Sequence, residues 1–205
     1  MRTIGACLLL LLVIVQPQKA TAACSRPIHS AASLKTIPTT GINQTLFANA
    51  LLREANFARC KKGRKSLIVE PSLTKAATRH AVWMARAKKL NHKGSQGFKA
   101  RMRGTGVKFK TASENIAAFD RFRFPKGQFK VKNASACKFA TQSGAAIPAH
   151  SYGSLAQAVV AGWMTSSGHR KNLLNGRIKL TGSGLAFDRK APLCGRFYIT
   201  QNYTG

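Results

Sequence analysis

Acidic residues are what this chain most lacks. Its 205 residues hold 5 Asp plus Glu against 34 Lys plus Arg, for a formal charge of +29. That excess argues for an anionic partner, since a surface so one-sided repels cations and draws polyanions. Long apolar runs are missing too: beyond the first 24 residues none approaches the 18 or more needed to span a bilayer. Glycine and proline stay near ordinary usage, at 17 and 7, which excludes a collagen-like or low-complexity chain. With 44% hydrophobic residues the chain is not a disordered polycation. The expectation is one very basic globular domain of ordinary size.

Residues 1–23 read as a secretory leader. Arg2 gives the positive start, Leu8 to Val15 the short apolar stretch, and Ala20-Thr21-Ala22 the cleavage pattern. The expected location is therefore secreted or periplasmic. Removal of the leader takes Arg2, Lys19 and Cys7 with it and lowers the charge from +29 to +27. The four remaining cysteines, Cys24, Cys60, Cys137 and Cys194, suit two disulfides in an exported chain. Three pairings are open. Their wide spacing speaks against a CxxC zinc or redox site.

Residues 24–44 show no hydrophobic period and read as an extended arm, leaving 45–205 as the domain. Thr45 to Arg59 carries apolar residues at helical spacing. Pro71 opens a second helix with a stripe of Leu73, Ala77, His80, Met84 and Ala87. On that face His80 is expected to be a core histidine satisfied by a hydrogen bond. Phe98 to Arg103 suits a short helix, and Thr111-Ala112-Ser113-Glu114 matches a capping box. Residues 120–153 read as a long basic insertion. Ser154-Leu155-Ala156-Gln157 matches another capping box, before a helix that Gly168 should stop. Leu180 to Phe187 and Arg196 to Tyr203 suit an antiparallel hairpin. Helices followed by a hairpin indicate an α+β fold.

The few acids can be taken singly. Glu54 beside Arg53 suggests a surface ion pair, and Glu70 favours the positive end of a helix. Asp120 and Asp188 sit in turn-like contexts. Glu114, ahead of an apolar run, is the one candidate for chemistry. No RNP pattern or zinc-finger spacing occurs, so nucleic acid is expected only as a non-specific polyanion.

Several short blocks in order complete the picture. Glu70-Pro71-Ser72-Leu73 leads into Ala76-Ala77-Thr78-Arg79-His80-Ala81, then come Leu90-Asn91-His92 and Ser113-Glu114-Asn115-Ile116-Ala117. Gly162-Trp163-Met164-Thr165-Ser166-Ser167-Gly168-His169-Arg170-Lys171-Asn172-Leu173-Leu174 and Phe197-Tyr198-Ile199-Thr200-Gln201-Asn202-Tyr203 follow. This order resembles the CAP superfamily (cysteine-rich secretory, antigen 5 and pathogenesis-related proteins), in the bacterial type of its SCP-like extracellular domain. The resemblance covers about residues 45–203.

It implies an α-β-α sandwich and a cleft in which two His and two acidic residues hold zinc or another divalent cation in some members. His92, Glu114 and His169 match three of those positions; Ser166 stands where the second Glu is expected. Two imidazoles and one carboxylate could still ligate an ion with a water at an open position, or the carboxylate could orient an imidazole as base. Loss of the second carboxylate and the surrounding cations predict weak metal binding. The reading is therefore a monomeric, exported, non-enzymatic module for lipid, envelope glycan or another polyanion. The alternative is a divalent-metal-dependent hydrolase acting through His92, Glu114 and His169.

Overall fold

The computed structural model describes residues 24–205, so the leader reading for residues 1–23 lies outside the described residues. The first long helix, α2 (Gln44–Cys60), starts where the Asn43 side chain accepts from the Leu46 N–H, satisfying a donor that the helix cannot use itself. Ahead of it, the stretch expected as an extended arm carries a one-turn helix, α1 (Ala31–Leu34), and a bridge from Thr36 to Ser151. Helix α3 (Pro71–Ala87) has Glu70 as its N-cap and ends on Lys88 in the left-handed region at φ 53°. A short helix, α4 (Phe98–Arg103), follows.

The sheet combines β1 (Ile68–Val69), β2 (Ala112–Asp120), β5 (Leu180–Asp188) and β6 (Arg196–Thr204) in the order β1-β5-β6-β2. β5 and β6 form the expected antiparallel hairpin and β1 joins β5 in parallel. The capping-box reading of Thr111–Glu114 does not hold, because that segment enters β2, whose nine residues pair with β6 from Ala112↔Thr204 to Asp120↔Arg196. A four-residue local pattern loses to a complete ladder of backbone hydrogen bonds.

Between β2 and the next helix lies a two-stranded hairpin, β3 (Lys130–Asn133) with β4 (Lys138–Ala140). Helix α5 (Tyr152–Thr165) begins one turn earlier than the sequence pattern suggests, through a reciprocal Ser151–Ser154 capping box. Gly168 does not end it. The chain breaks at Ser166 (φ −87°, ψ 124°), and Gly168 lies within α6 (Ser167–Leu173).

Helices α2 and α5 cover one sheet face and α3 the other, giving the α-β-α sandwich. Side chains alternate along each strand. Leu185, Phe197, Ile199 and Tyr203 face α2 and α5, where Phe47, Leu51, Leu155, Val159 and Trp163 complete the main core. Each such fully buried large side chain contributes on the order of 1.5–3 kcal/mol. On the other face Gly182 and Gly184 let α3 lie against the backbone: a Cβ on either would overlap main-chain atoms of Thr74 or Thr78. The disulfides pair Cys24 with Cys60 and Cys137 with Cys194.

Candidate functional site

Strand β2 is the sheet edge, and its alternation decides what can meet there. Glu114 faces α3. Asn115 faces α5 and α6, where its amide donates to the His169 carbonyl at 3.0 Å and to the Tyr203 hydroxyl at 3.2 Å. Asn172 reinforces the junction, donating to the Glu114 carbonyl and to Asn115 Oδ1.

The Glu114 carboxylate is buried and both of its oxygens are engaged. His92 Nδ1 lies 3.0 Å from Oε1, and Arg101 Nη2 donates to Oε2 at 2.7 Å. Arg101 also donates to the His92 carbonyl at 3.0 Å and to the Lys93 carbonyl at 2.9 Å. One guanidinium thus ties the loop after α3 to the carboxylate and neutralises it. A third ring approaches: His80 Nε2 is 3.8 Å from Oε1. Burial holds the His80 pKa below its usual value, against the opposing pull of Glu114. The imidazole is therefore neutral at neutral pH.

His80 is buried as its place on the apolar stripe suggests, yet neither ring nitrogen has a hydrogen-bond partner. The Asn91 backbone favours protonation of the ring but does not meet hydrogen-bond geometry. The expected bond is absent.

His92 and Glu114 are thus brought together. The His169 ring instead lies 6.3 Å from the Trp163 ring centroid and is half-buried. Burial, then the nearby His92, depress its pKa. Ser166 forms the α5–α6 break and makes no side-chain capping bond. Among the described residues no three His, Cys, Asp or Glu side chains converge closely enough to hold an ion. With a guanidinium on one Glu114 oxygen, this donor set does not fit a divalent cation.

Sequence reasoning missed Arg101. It sits 13 residues before Glu114 in an unremarkable basic helix, and only the fold joins the two. The reading of Glu54 is also corrected. It is buried and pairs with His29 at 2.8 Å, because its helix turns it under the N-terminal segment rather than towards solvent. Asp120 pairs with Arg196, Asp188 accepts from the Lys190 N–H, and Glu70 accepts from Ser72. All five acids are thus engaged.

At the C-terminal end of α3 lies a groove of about 600 Å³. Ile42, Val82, Leu185 and Phe187, buried or half-buried, line it, and the exposed Arg86, Lys88, Arg189 and Lys190 flank it.

The sequence model of the CAP (cysteine-rich secretory protein) family matches residues 52–203. A search of curated proteins finds no significant match. Among solved structures, an extracellular SCP-domain protein of Bacillus anthracis is 23% identical with a TM-score of 0.52. That alignment covers 77% of this chain and 40% of that one. An outer surface protein of Borrelia burgdorferi is 15% identical with a TM-score of 0.53, covering 80% of this chain and 96% of that one. Both likenesses concern the fold. This chain spans less than half the length of the Bacillus protein.

Proposed function

The chain belongs to the cysteine-rich secretory protein (CAP) family, and from that premise we propose an exported, non-enzymatic binding protein for anionic lipid or related envelope components. The groove beside α3 carries this reading. Its apolar lining suits an acyl or other lipid tail, and its four flanking cations suit an anionic head group. The charge of +27 that remains once residues 1–23 are removed would bring the chain to such a surface. Two disulfides suit an oxidising compartment outside the cytoplasm. Among the described residues no helix is long and apolar enough to cross a membrane. Arg101 on Glu114 supports a structural rather than catalytic role for the His–Glu cluster.

The test is co-sedimentation of the oxidised chain with phosphatidylglycerol and phosphatidylcholine vesicles over a salt series. Selective binding to the anionic vesicles is expected, weakening as salt rises, and weaker still for Arg86→Gln/Lys190→Gln. Equal binding to both vesicle types, or an unaffected double variant, would count against the groove. A zinc titration by calorimetry supplies the second arm. Tight one-to-one binding lost in His92→Ala/His169→Ala would overturn the non-enzymatic reading and restore the metal-dependent hydrolase.

A further inference from the structure

Helix α5 keeps one face out of the core, and we propose that the pocket over that face is a binding site for a neutral saccharide. Leu155, Ala156, Val159 and Trp163 point into the main core. Ser154, Gln157, Ala158 and Ala161, spaced three and four residues apart, share another face of the helix and line the pocket. The other wall is Phe119, at the end of β2, with Phe122 and Phe124 in the insertion that follows. The space between them measures about 540 Å³, within the roughly 300–1,000 Å³ of small-ligand sites.

One polar group here is both buried and free. His150 is only 6% exposed. Its Nδ1 meets Ser154 Oγ at 3.1 Å. Among the described residues its Nε2 has no hydrogen-bond partner, yet it is not one of the polar atoms sealed from solvent. It therefore opens on the pocket that His150 lines. Burial, then Arg123, push the pKa of the ring down to about 4, so the imidazole is neutral at neutral pH. Its backbone is tied on both sides, to the Arg121 carbonyl and the Ile37 N–H, and Phe119 meets the ring edge-on with centroids 6.4 Å apart.

The lining selects the occupant. Its charged side chains are Asp120 and Arg123, one of each sign. In a chain this basic, a pocket so balanced does not single out an anion. Asp120 uses Oδ1 for Arg196, at 2.9 and 3.0 Å, and among the described residues its Oδ2 has no partner. The Gln157 amide and His150 Nε2 supply further donor and acceptor positions. A saccharide ring uses both halves of such a lining. Its hydroxyls donate and accept around the rim, and its C–H groups suit the electron-rich faces of aromatic rings. An acyl chain would leave the polar half unpaired.

The aromatic wall is held from behind. Buried Phe139 packs edge-on against Phe122 and Phe124 at 5.0 and 5.1 Å, and Phe129 stacks on Phe124 at 4.4 Å. The Phe122–Ala149 bridge and the bond from the Arg123 N–H to the Pro148 carbonyl fasten this strip to the segment before α5. A wall fixed in advance has little ordering cost to meet when a ligand arrives.

This pocket is separate from the groove at α3, so failure of either reading leaves the other standing. Maltotriose and triacetylchitotriose are titrated into the full oxidised chain, by calorimetry and by nuclear magnetic resonance of the histidine ring nitrogens; octanoate is the third arm. The expected result is saturable binding of at least one saccharide that shifts the His150 Nε2 resonance. Phe122→Leu, which keeps apolar bulk but removes the aromatic face, should weaken it about tenfold. Gln157→Ala on the exposed helix face should weaken it about fivefold, as for loss of one hydrogen bond. Gln96→Ala, at an exposed site beyond α3, should leave it unchanged. Neither saccharide binding, binding that leaves His150 Nε2 unmoved, native affinity in Phe122→Leu, or equal weakening in the two glutamine variants would overturn the site. Octanoate shifting His150 where neither saccharide does would assign the pocket to an acyl chain instead.

Discussion

The face of the sheet under α2 and α5 and the face under α3 are built on different chemistry. The first meets a continuous apolar core running from Phe47 through Leu155 to Phe197. The second has a thin apolar cluster of Ala81, Met84, Ile116, Ala186 and Tyr198, and beyond it buried polar groups. Thr200, Asn202 and Thr204 lie there with side-chain atoms unpaired, beside His80 and Glu114. One face is made to be stable. The other carries more of the unpaired polarity, although Ser113 Oγ and Gln201 Nε2 are unpaired on the first face as well, and residues that tolerate such a cost concentrate where binding or chemistry needs them.

The largest expected effect lies on the apolar face. Phe47→Ala should cost about 4 kcal/mol of unfolding free energy, measured in urea, since a fully buried ring leaves a cavity the core cannot close. Glu114→Gln on the other face should cost about 3 kcal/mol, because it leaves the Arg101 charge without its partner. A larger loss for Glu114→Gln than for Phe47→Ala would break the contrast.

Gly184→Ala should cost about 2 kcal/mol by wedging α3 away from β5, an overpacking strain that leaves the first face intact. Near-ultraviolet circular dichroism of the two tryptophans should then report a change at Trp83 and little at Trp163.

The smallest effect depends on pH. His150, packed at the start of α5, has a pKa pushed down to about 4 by burial and then by Arg123. Its folded value lies below the unfolded value near 6.5, so the unfolded chain binds the proton first. Stability is complete above that value and falls with pH towards 4, by about 1.8 kcal/mol between pH 7 and 5. Urea midpoints for the native chain and His150→Gln over that range should converge as the pH falls.

The elements that could be read directly are those whose signals are local. Pro71 with its capping Glu70, the stripe of α3 and the β5–β6 hairpin each carry their instructions within a few residues. The failures share a cause. Thr111–Glu114 looks like a helix start until β6 claims it, and Glu54 looks exposed until His29 covers it. In the candidate site, His92 and Glu114 were legible through the ordered motifs. Arg101 and the unsatisfied ring of His80 were not, since both depend on a loop folding back across α3. Nor does spacing alone show that Glu114 and Asn115 face opposite ways into two different neighbourhoods.

The two disulfides reach beyond thermodynamic stability. A chain with 34 Lys and Arg offers trypsin-like proteases many points of attack. Exposed Lys35 lies inside the loop closed by Cys24 and Cys60, and exposed Lys171 and Lys190 lie inside the one closed by Cys137 and Cys194. A single cut at any of these three sites opens the backbone without releasing a fragment. Such a nicked chain would keep its mass on a non-reducing gel and fall into two pieces only after a thiol is added, so injury at these sites stays silent for as long as the surroundings remain oxidising.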